Sequence, residues 1–334
     1  MANYNTIRGL RVKYLSADPA GAEDGQVWYN STTGNLRVDG ILQAGSWASG
    51  GALNTQRTDS SGTGATPSSM VTAGGYTGSA RTVNTEIYNG SAWTETGNMS
   101  TARFAGGMAG TQTAAWYASG NSSPGGGRTA ATEEFGGTSW TSGGNVNTAR
   151  QQTQAQVGGS LTAGIMFGGN GPTPANTTTE YYDGSSWTTQ SGTLNDGRWN
   201  AMGTGTQAAA VMAGADNPLT ANVEEWNGSA WSEVNNLPTV RASGMAGGNS
   251  QTAMKIISGQ APPSSALTAT CFDYDGTNWA AAPSVATARS LGAGSSANTV
   301  ATSFISGGTS PPGSLTLTEE FTGATVVTKN ISTS

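Results

Sequence analysis

The sequence contains no His and only one Cys among its 334 residues, and charged residues make up 10% of it. His is the commonest general base and metal ligand, so its absence excludes Ser-His and Cys-His hydrolases and most zinc enzymes. A single Cys excludes an internal disulfide framework. We therefore expect no metal and no other cofactor, and a protein that is not an enzyme.

Long apolar runs and concentrated positive charge are also missing. No stretch approaches the ~18 consecutive apolar residues of a membrane span, so membrane insertion is not expected. The formal net charge is −6 and the basic residues are scattered, which argues against a nucleic-acid partner. Residues 1–13 mix polar and basic side chains, so no signal peptide is expected.

Glycine, by contrast, is abundant at 50 residues, and aromatic residues make up 7% of the chain. The glycines follow no three-residue period, which excludes a collagen helix. The aromatic residues and the low charge exclude a largely disordered chain. The composition therefore indicates a folded, glycine-rich protein.

An internal repeat decides the fold class. Trp recurs at intervals of roughly 47 residues, a spacing typical of β-propeller blades. The repeated tryptophans are Trp47, Trp93, Trp140, Trp187, Trp231 and Trp279. An Arg follows each of them: Arg57, Arg103, Arg150, Arg198, Arg241 and Arg289. Because both residues recur in every unit, we interpret them as structural residues of the repeat.

Each repeat is predicted to hold four short strands, since short apolar runs alternate with turn residues and no helical period is present. Asn-Gly or Asp-Gly pairs, as at residues 89–90, favour two-residue hairpin turns. We therefore predict an all-β protein with a six-bladed β-propeller over residues 45–334. Residues 325–329 are expected to form the fourth strand of the last blade, with residues 41–50 beside that blade or added to it.

The pattern resembles the Kelch family. In the third repeat, a hydrophobic run ends in Gly168-Gly169, and Tyr182 and Trp187 follow. The resemblance covers roughly residues 50–330 and implies a Kelch-like propeller. Residues 182–187 are also similar to the Asp box of sialidase propellers, although an aromatic residue occupies the position of the Asp.

Residues 1–44 lie outside the repeat and are predicted to form a short β-hairpin segment, with Asn30 to Gly34 as its turn. The run from Gly25 to Gly34 resembles a module of bacteriophage tail-fibre and other virion proteins. That resemblance implies a virion structural protein that attaches to other virion proteins through residues 1–44. The missing signal peptide fits assembly in the bacterial host cytoplasm, and we expect a homo-oligomer in the particle.

The Arg column has two interpretations. Six guanidinium groups could clamp an anionic sugar or phosphate. Alternatively, each Arg pairs with a Glu of the third strand, and the five candidates are Glu86, Glu133, Glu180, Glu224 and Glu319. The fifth repeat has Phe272 at this position, next to Cys271, which we interpret as a small core residue. Repetition in every unit favours the structural pairing.

The connections between second and third strands are rich in Pro and vary between repeats, so we predict that they share one recognition face. Pro in these connections could instead block pairing of exposed strand edges. Tyr76 and Trp116 are candidates for stacking on a sugar, although Trp116 could equally belong to the core. The full set of candidate ligand-binding residues is Tyr76, Trp116, Asn121, Asn170, Asn176, Asn217 and Gln260.

Three functions remain open at this point. The first is adhesion to a host-surface glycan or receptor through this face. The second is a purely structural role, in which the propeller packs against other virion proteins. The third is an enzyme that acts on host polysaccharide, which would need a close carboxylate pair at one particular place.

Overall fold

The structure, a computed structural model, describes residues 12–19, 26–123, 127–153, 156–172, 176–262, 266–295 and 299–330. Within these ranges the regular structure is β-sheet, apart from one short 3₁₀ turn at Val300–Thr302. The prediction of an all-β protein is confirmed. The chain divides into two compact units, one of Met1–Gly45 with Gly323–Ser334 and one of Ser46–Thr322.

The first unit contains a four-stranded sheet. Its strands, in spatial order, are Lys13–Leu15, Val27–Asn30, Asn35–Gln43 and Thr325–Asn330. Gly34 closes the turn between the second and third of these at a φ of 70°, where Gly carries no steric penalty. Asp18 accepts hydrogen bonds from Trp28 Nε1 (3.0 Å) and Asn30 Nδ2 (2.8 Å), which ties the preceding loop to the hairpin. The predicted hairpin and its turn are confirmed.

The predicted position of the C-terminal strand is wrong. Thr325–Asn330 pairs antiparallel with Asn35–Gln43 in the first unit and not with a strand of the sixth repeat. The fourth strand of the sixth repeat is instead Ser46–Ser49, in which Trp47 lies opposite Phe321. The expectation that part of residues 41–50 is added to the last repeat is therefore confirmed. The Trp spacing is the same whether Trp47 opens the first unit or completes the last one, so spacing alone could not distinguish the two arrangements.

The second unit contains six four-stranded sheets among its described residues, each antiparallel in the order first to fourth strand. We number them sheets 1 to 6. The first strands are Ser61–Thr66, Gly107–Thr111, Val157–Ser160, Met202–Gly205, Met245–Ser250 and Ala293–Gly294. The second strands are Ser69–Ala73, Ala114–Ala118, Ala163–Phe167, Ala210–Asp216, Ala253–Ile257 and Phe304–Ser306.

The outer strands follow the repeat in the same way. The third strands are Thr85–Tyr88, Thr132–Phe135, Thr179–Tyr182, Leu219–Trp226, Cys271–Tyr274 and Thr318–Thr322. The fourth strands are Trp93–Glu95, Trp140–Ser142, Trp187–Thr189, Trp231–Val234, Trp279–Ala282 and Ser46–Ser49. Small hairpins lie in three connections between second and third strands: Asn121–Ser123 with Gly127–Arg128, Gln260–Ala261 with Ala266–Leu267, and Thr309–Ser310 with Gly313–Ser314.

Glycine lets the first strands of neighbouring sheets approach closely. The first strand of each sheet contacts that of the next, and the first strand of sheet 6 contacts that of sheet 1. A Cβ on Gly158 would lie 2.2 Å from the carbonyl oxygen of Gly205, and one on Gly294 would lie 2.4 Å from that of Ala246. Any larger residue at these two positions would therefore force neighbouring strands apart.

The repeated Trp joins each sheet to the preceding one. The indole N–H of Trp187 donates to Thr132 Oγ1 at 2.9 Å, and Trp93 of sheet 1 donates in the same way to Thr318 of sheet 6. Where the acceptor is not Thr, the indole turns to a carbonyl oxygen, as Trp279 does to Asn235. The interfaces between sheets therefore hold the aromatic core, and the Trp column serves each interface in turn.

Candidate functional site

The Arg column lies inside the second unit, and five of its six guanidinium groups form buried ion pairs. Arg150 and Glu180 pair with both side chains fully buried, and Arg150 Nη1 donates to the carbonyl oxygen of Gly168 at 3.0 Å. The five pairs are Arg57–Glu86, Arg103–Glu133, Arg150–Glu180, Arg198–Glu224 and Arg289–Glu319. Each of these arginines lies in the connection between the fourth strand of one sheet and the first strand of the next, and it pairs with the third strand of that next sheet. Their charges are buried and do not face solvent.

Two residues after each Arg, the backbone forms a closed ring of hydrogen bonds. Its members are Asp59, Ala105, Gln152, Asn200, Ser243 and Leu291, all with φ between 52° and 61°. The N–H of each member donates to the carbonyl oxygen of the preceding member, and Asp59 donates to Leu291, at distances of 2.7 to 3.3 Å. We call these six residues the hydrogen-bond ring. A left-handed conformation is uncommon for residues other than Gly, so its recurrence indicates a strongly determined backbone.

A second set of six residues pairs through its backbone with the residues that immediately precede the members of the hydrogen-bond ring. Five of them lie three residues beyond the end of a second strand, and the sixth is the last residue of its second strand. The five are Tyr76, Asn121, Asn170, Gln260 and Thr309, and the sixth is Asp216. Five of them bridge to the residue that follows the column Arg, as Asn121 does to Phe104. Asp216 reaches the corresponding position through its N–H, which donates to Trp199 O at 3.1 Å. The connections therefore begin around one ring, at the end of the sheets that we call the connection face.

Hydrogen bonds link neighbouring positions of the connection face. Asn121 Oδ1 accepts from Arg81 Nη2 at 2.8 Å, and Asn121 Nδ2 donates to Gln151 Oε1 at 2.8 Å. Asn170 accepts from the guanidinium of Arg128 and donates from Nδ2 to Gln152 Oε1 at 3.0 Å. The polar side chains of this face are thus held in place by one another.

The candidate ligand-binding residues separate into exposed and buried members. Asn217 is exposed, and Tyr76, Asn170 and Gln260 are half-buried. Asn121 and Asn176 are buried, at 3% and 5% exposure. Residues 124–126, 173–175 and 263–265 of the predicted recognition loops lie outside the described residues.

Trp116 belongs to the core, and the expectation that it could be an exposed stacking residue is wrong. Its side chain is fully buried, with Nε1 donating to Ser160 O at 3.1 Å and the ring packed edge-on against Trp187 at 5.1 Å. A Cβ on Gly164 would lie 2.5 Å from Trp116 Nε1, so the large ring fits because the facing residue has no side chain. An alignment of the repeats indicates that Trp116 is buried, because the apolar residues Val71 and Ile165 occupy the same position on their strands.

A cavity of about 500 Å³ lies at the opposite end of the sheets. It is lined by the connections between first and second strands, including Thr111, Ser160, Thr206 and Asn249. The antiparallel order of each sheet places these connections at the end away from the connection face. We call this the hairpin end.

The described residues offer little catalytic chemistry. No three Asp, Glu or Cys side chains among them form a group that could hold a metal ion. Cys271 is buried, and burial raises the pKa of its thiol, which disfavours the nucleophilic thiolate. Within the same residues, no helix has the length and apolar character needed to cross a membrane.

Comparison of the chain with protein-family models gives no match, and comparison with curated proteins gives none.

Proposed function

We propose that this protein is a non-enzymatic structural component of a bacteriophage virion, such as a tail fibre, appendage or decoration. Its second unit would be a six-bladed, Kelch-like β-propeller that presents the connection face to a host-surface glycan or receptor. Residues 1–44 would attach it to other virion proteins, as their resemblance to tail-fibre modules implies. We expect it to form a homo-oligomer in the particle.

The hydrogen-bond ring supports the propeller. Six N–H groups donate around the ring and the last returns to the first, which six blades around one axis would produce. The contacts between first strands follow the same cyclic order. The bond from Trp93 to Thr318 joins sheet 1 to sheet 6 at the outer edge as well.

The observation that carries the recognition function is that equivalent positions of the connection face hold different side chains in different repeats. The internal columns hold the same residue types, whereas equivalent positions around the ring hold Tyr76, Asn170, Asp216 and Gln260. A rigid backbone beneath variable polar side chains reduces the entropy lost on binding. These side chains are mostly neutral donors and acceptors, which suits sugar hydroxyl groups.

A second candidate function is packing against other virion proteins without recognition of a host. Asn121 favours it, because this buried side chain already bonds to Arg81 and Gln151 and so has little capacity left for a ligand. Under this alternative, the polar bonds of the connection face serve stability.

The test compares two sets of substitutions in the full chain. The face variant carries Tyr76→Ala, Asn170→Ala, Asn217→Ala and Gln260→Ala. The matched control carries Thr113→Ala, Thr162→Ala and Thr252→Ala, which change exposed side chains at the hairpin end. Binding of the purified proteins to a glycan array and attachment of assembled particles to host cells are measured for both.

If the proposal is correct, the face variant loses binding and attachment while it still enters particles, and the control retains all three properties. If the purified face variant binds the array like the control but fails to enter particles, the packing function replaces recognition. Degradation of host polysaccharide by the purified protein would contradict the non-enzymatic function.

A further inference from the structure

One arginine of the repeated column lacks the carboxylate that the other five have. In sheet 5 the Glu position holds Phe272, whose ring centre lies 5.4 Å from the guanidinium carbon of Arg241. Arg241 forms no ion pair within the described part of the chain, whereas its five equivalents each pair with a Glu. The five pairs therefore serve as internal references for the sixth site.

Arg241 is nevertheless as deeply buried as its equivalents, with 1% of its surface exposed. Its Nη2 donates to Thr270 Oγ1 at 2.8 Å, and Nη1 donates to Ser258 O at 3.3 Å. Its Nε has no hydrogen-bond partner among the described residues. The same is true of Nε in Arg103 and Arg198, but those two guanidinium groups have Glu partners. A buried cation without a counter-charge is energetically costly.

Burial lowers the pKa of Arg241, and the nearby Cys271 opposes that shift only through its thiol. In the other five sites, a Glu carboxylate acts in the opposite direction to burial, as Glu180 does for Arg150. The electrostatic environment of Arg241 thus differs from that of its equivalents in the missing negative charge.

The loop beside Arg241 also differs from the equivalent loops of the other repeats. In other repeats, the residue three positions before the Arg donates its N–H to the Glu, as Asn54 does to Glu86 and Asn147 does to Glu180, both at 2.7 Å. The equivalent residue in the fifth repeat is Pro238, which has no N–H. Both the internal acceptor and one of its donors are therefore absent from this site.

A cavity of about 600 Å³ occupies this position. Arg241 lines it together with the hydroxyl-bearing residues Thr239, Thr268 and Thr270, and Leu237 and Pro262 contribute apolar walls. Thr268 and Thr270 lie within hydrogen-bond distance of each other, with 3.0 Å between their hydroxyl oxygens. The buried cation, the hydroxyl groups and the open volume thus meet in one place.

We propose that this cavity binds a carboxylate group, which replaces the missing Glu as the partner of Arg241. Its oxygens would accept from the guanidinium, and the threonine hydroxyls would contact the body of the ligand. A singly charged group fits better than a phosphate dianion, because Arg241 is the one cation among the described residues that line the cavity. The ligand is a small free carboxylate or the carboxylate of a sugar acid.

This inference goes beyond the proposed function, which concerns the variable face and its neutral side chains. It is measured on the purified full chain and does not require a virion or a host. Loss of carboxylate binding and loss of host attachment are therefore separate results.

The test is a titration of the full chain with sodium acetate and with sodium glucuronate, with glucose and sodium chloride as controls at matched ionic strength. Binding is followed by calorimetry and by the NMR signal of the Arg241 Nε–H. The decisive variant is Phe272→Glu, which restores the internal carboxylate present in the other five repeats. The matched control is Phe272→Leu, which removes the ring without supplying a charge.

We expect saturable binding of a carboxylate to the native chain and to Phe272→Leu, with a shift of the Arg241 Nε–H signal. Phe272→Glu should weaken the association at least about tenfold, the change expected for loss of one charge-assisted hydrogen bond. Binding of both acetate and glucuronate indicates a free carboxylate as a sufficient ligand, and binding of glucuronate alone indicates a sugar acid.

The proposal is overturned if acetate and glucuronate act on the native chain no differently from chloride and glucose. It is also overturned if Phe272→Glu binds as tightly as the native chain. Should Phe272→Leu fail to fold, the native spectrum and Phe272→Glu still decide the question.

Discussion

Trp47 and Phe321 lie opposite each other across the last two strands of sheet 6, with ring centres 5.2 Å apart, although they come from opposite ends of the second unit. The strand that carries Trp47 is therefore the fourth strand of sheet 6. The other three strands of this sheet come from the C-terminal end of the second unit. Sheet 6 joins the two ends of Ser46–Thr322, so its fourth strand has a role that no other fourth strand has.

Truncation at either side of this strand should separate its contribution from that of the first unit. A chain that begins at Gly45 keeps Ser46–Ser49, and one that begins at Gly50 loses it. We expect the shorter chain to be less stable by at least about 2 kcal/mol, the free energy of burying one large apolar side chain, because Phe321 loses its cover. Denaturant unfolding followed by circular dichroism measures the difference. Equal unfolding midpoints for the two chains would contradict the prediction.

The sequence predicts the repeated parts of the fold well because their interactions are local and recur. The hairpin turn at Gly34 and the four strands of each repeat follow from turn residues and short apolar runs. Ser46–Ser49 confirms the expectation that residues 41–50 lie at the last repeat. The sequence does not show that this strand, and not Thr325–Asn330, pairs with Thr318–Thr322, since the pairing joins distant parts of the chain. Period counting measures spacing and carries no information about which strand completes the last sheet.

Each Trp hydrogen bond between consecutive sheets should make a measurable contribution to the free energy of unfolding. In Thr132→Val, Trp187 Nε1 keeps its buried position but loses its acceptor. Leaving a buried donor unpaired should lower the free energy of unfolding by about 1–3 kcal/mol. The matched control is Thr94→Val on an exposed fourth-strand position, which should change stability by less than about 0.5 kcal/mol.

Chemical denaturation of both variants provides the measurement. An equal loss in Thr132→Val and Thr94→Val would mean that the effect reflects strand composition and not the Trp187 hydrogen bond. Val223 already replaces Thr at the equivalent position of sheet 4, and there Trp279 donates to Asn235 O instead.

The buried ion pairs should be sensitive to loss of one partner. Glu180→Gln keeps the shape of the side chain but leaves Arg150 charged and unpaired in the interior. Breaking a buried pair in this way should lower the free energy of unfolding by about 3–5 kcal/mol. The control is Glu233→Gln on an exposed fourth strand, for which a change below about 0.5 kcal/mol is expected. Unfolding of both variants in urea tests this, and a similar small change in the two would show that the pair contributes little.

The candidate site was only partly predictable from the sequence. The sequence favoured ion pairing over anion binding for the Arg column, because the Glu residues recur with the same spacing as the Arg residues. The burial of Trp116 was left open, because a single large aromatic fits either a core or a surface. The aligned residues Val71 and Ile165 indicate the core, and the space for the larger ring comes from Gly164, which only the structure shows. The hydrogen-bond ring could not be predicted from residue types, because residues as different as Asp59 and Leu291 adopt the same left-handed backbone conformation. Only their constant distance from the column Arg marks them.

The turns between third and fourth strands should make stability depend on acid pH. Hydrogen bonds hold the pKa of Asp183 well below its usual range, first from the N–H of Ser186 and then from the hydroxyl and N–H of Ser185. Asn89 makes the corresponding turn without a charge, with its Oδ1 accepting from Ser91 N at 3.0 Å. Asp183→Asn should therefore preserve the turn and remove its titration.

Because the folded pKa of Asp183 is depressed, its contribution to stability is fully present above the unfolded pKa of about 3.9 and is lost as the pH falls toward the folded value. We expect the native chain to be the more stable of the two at pH 6, and the difference in melting temperature from Asp183→Asn to shrink as the pH is lowered through about 4. Thermal unfolding between pH 2.5 and 7 measures this difference. Ser68→Ala, which changes an exposed hydroxyl at the same end of the sheets, should give a difference that does not vary with pH. A constant difference for Asp183→Asn over the whole range would show that its carboxylate contributes nothing beyond the shape of the turn.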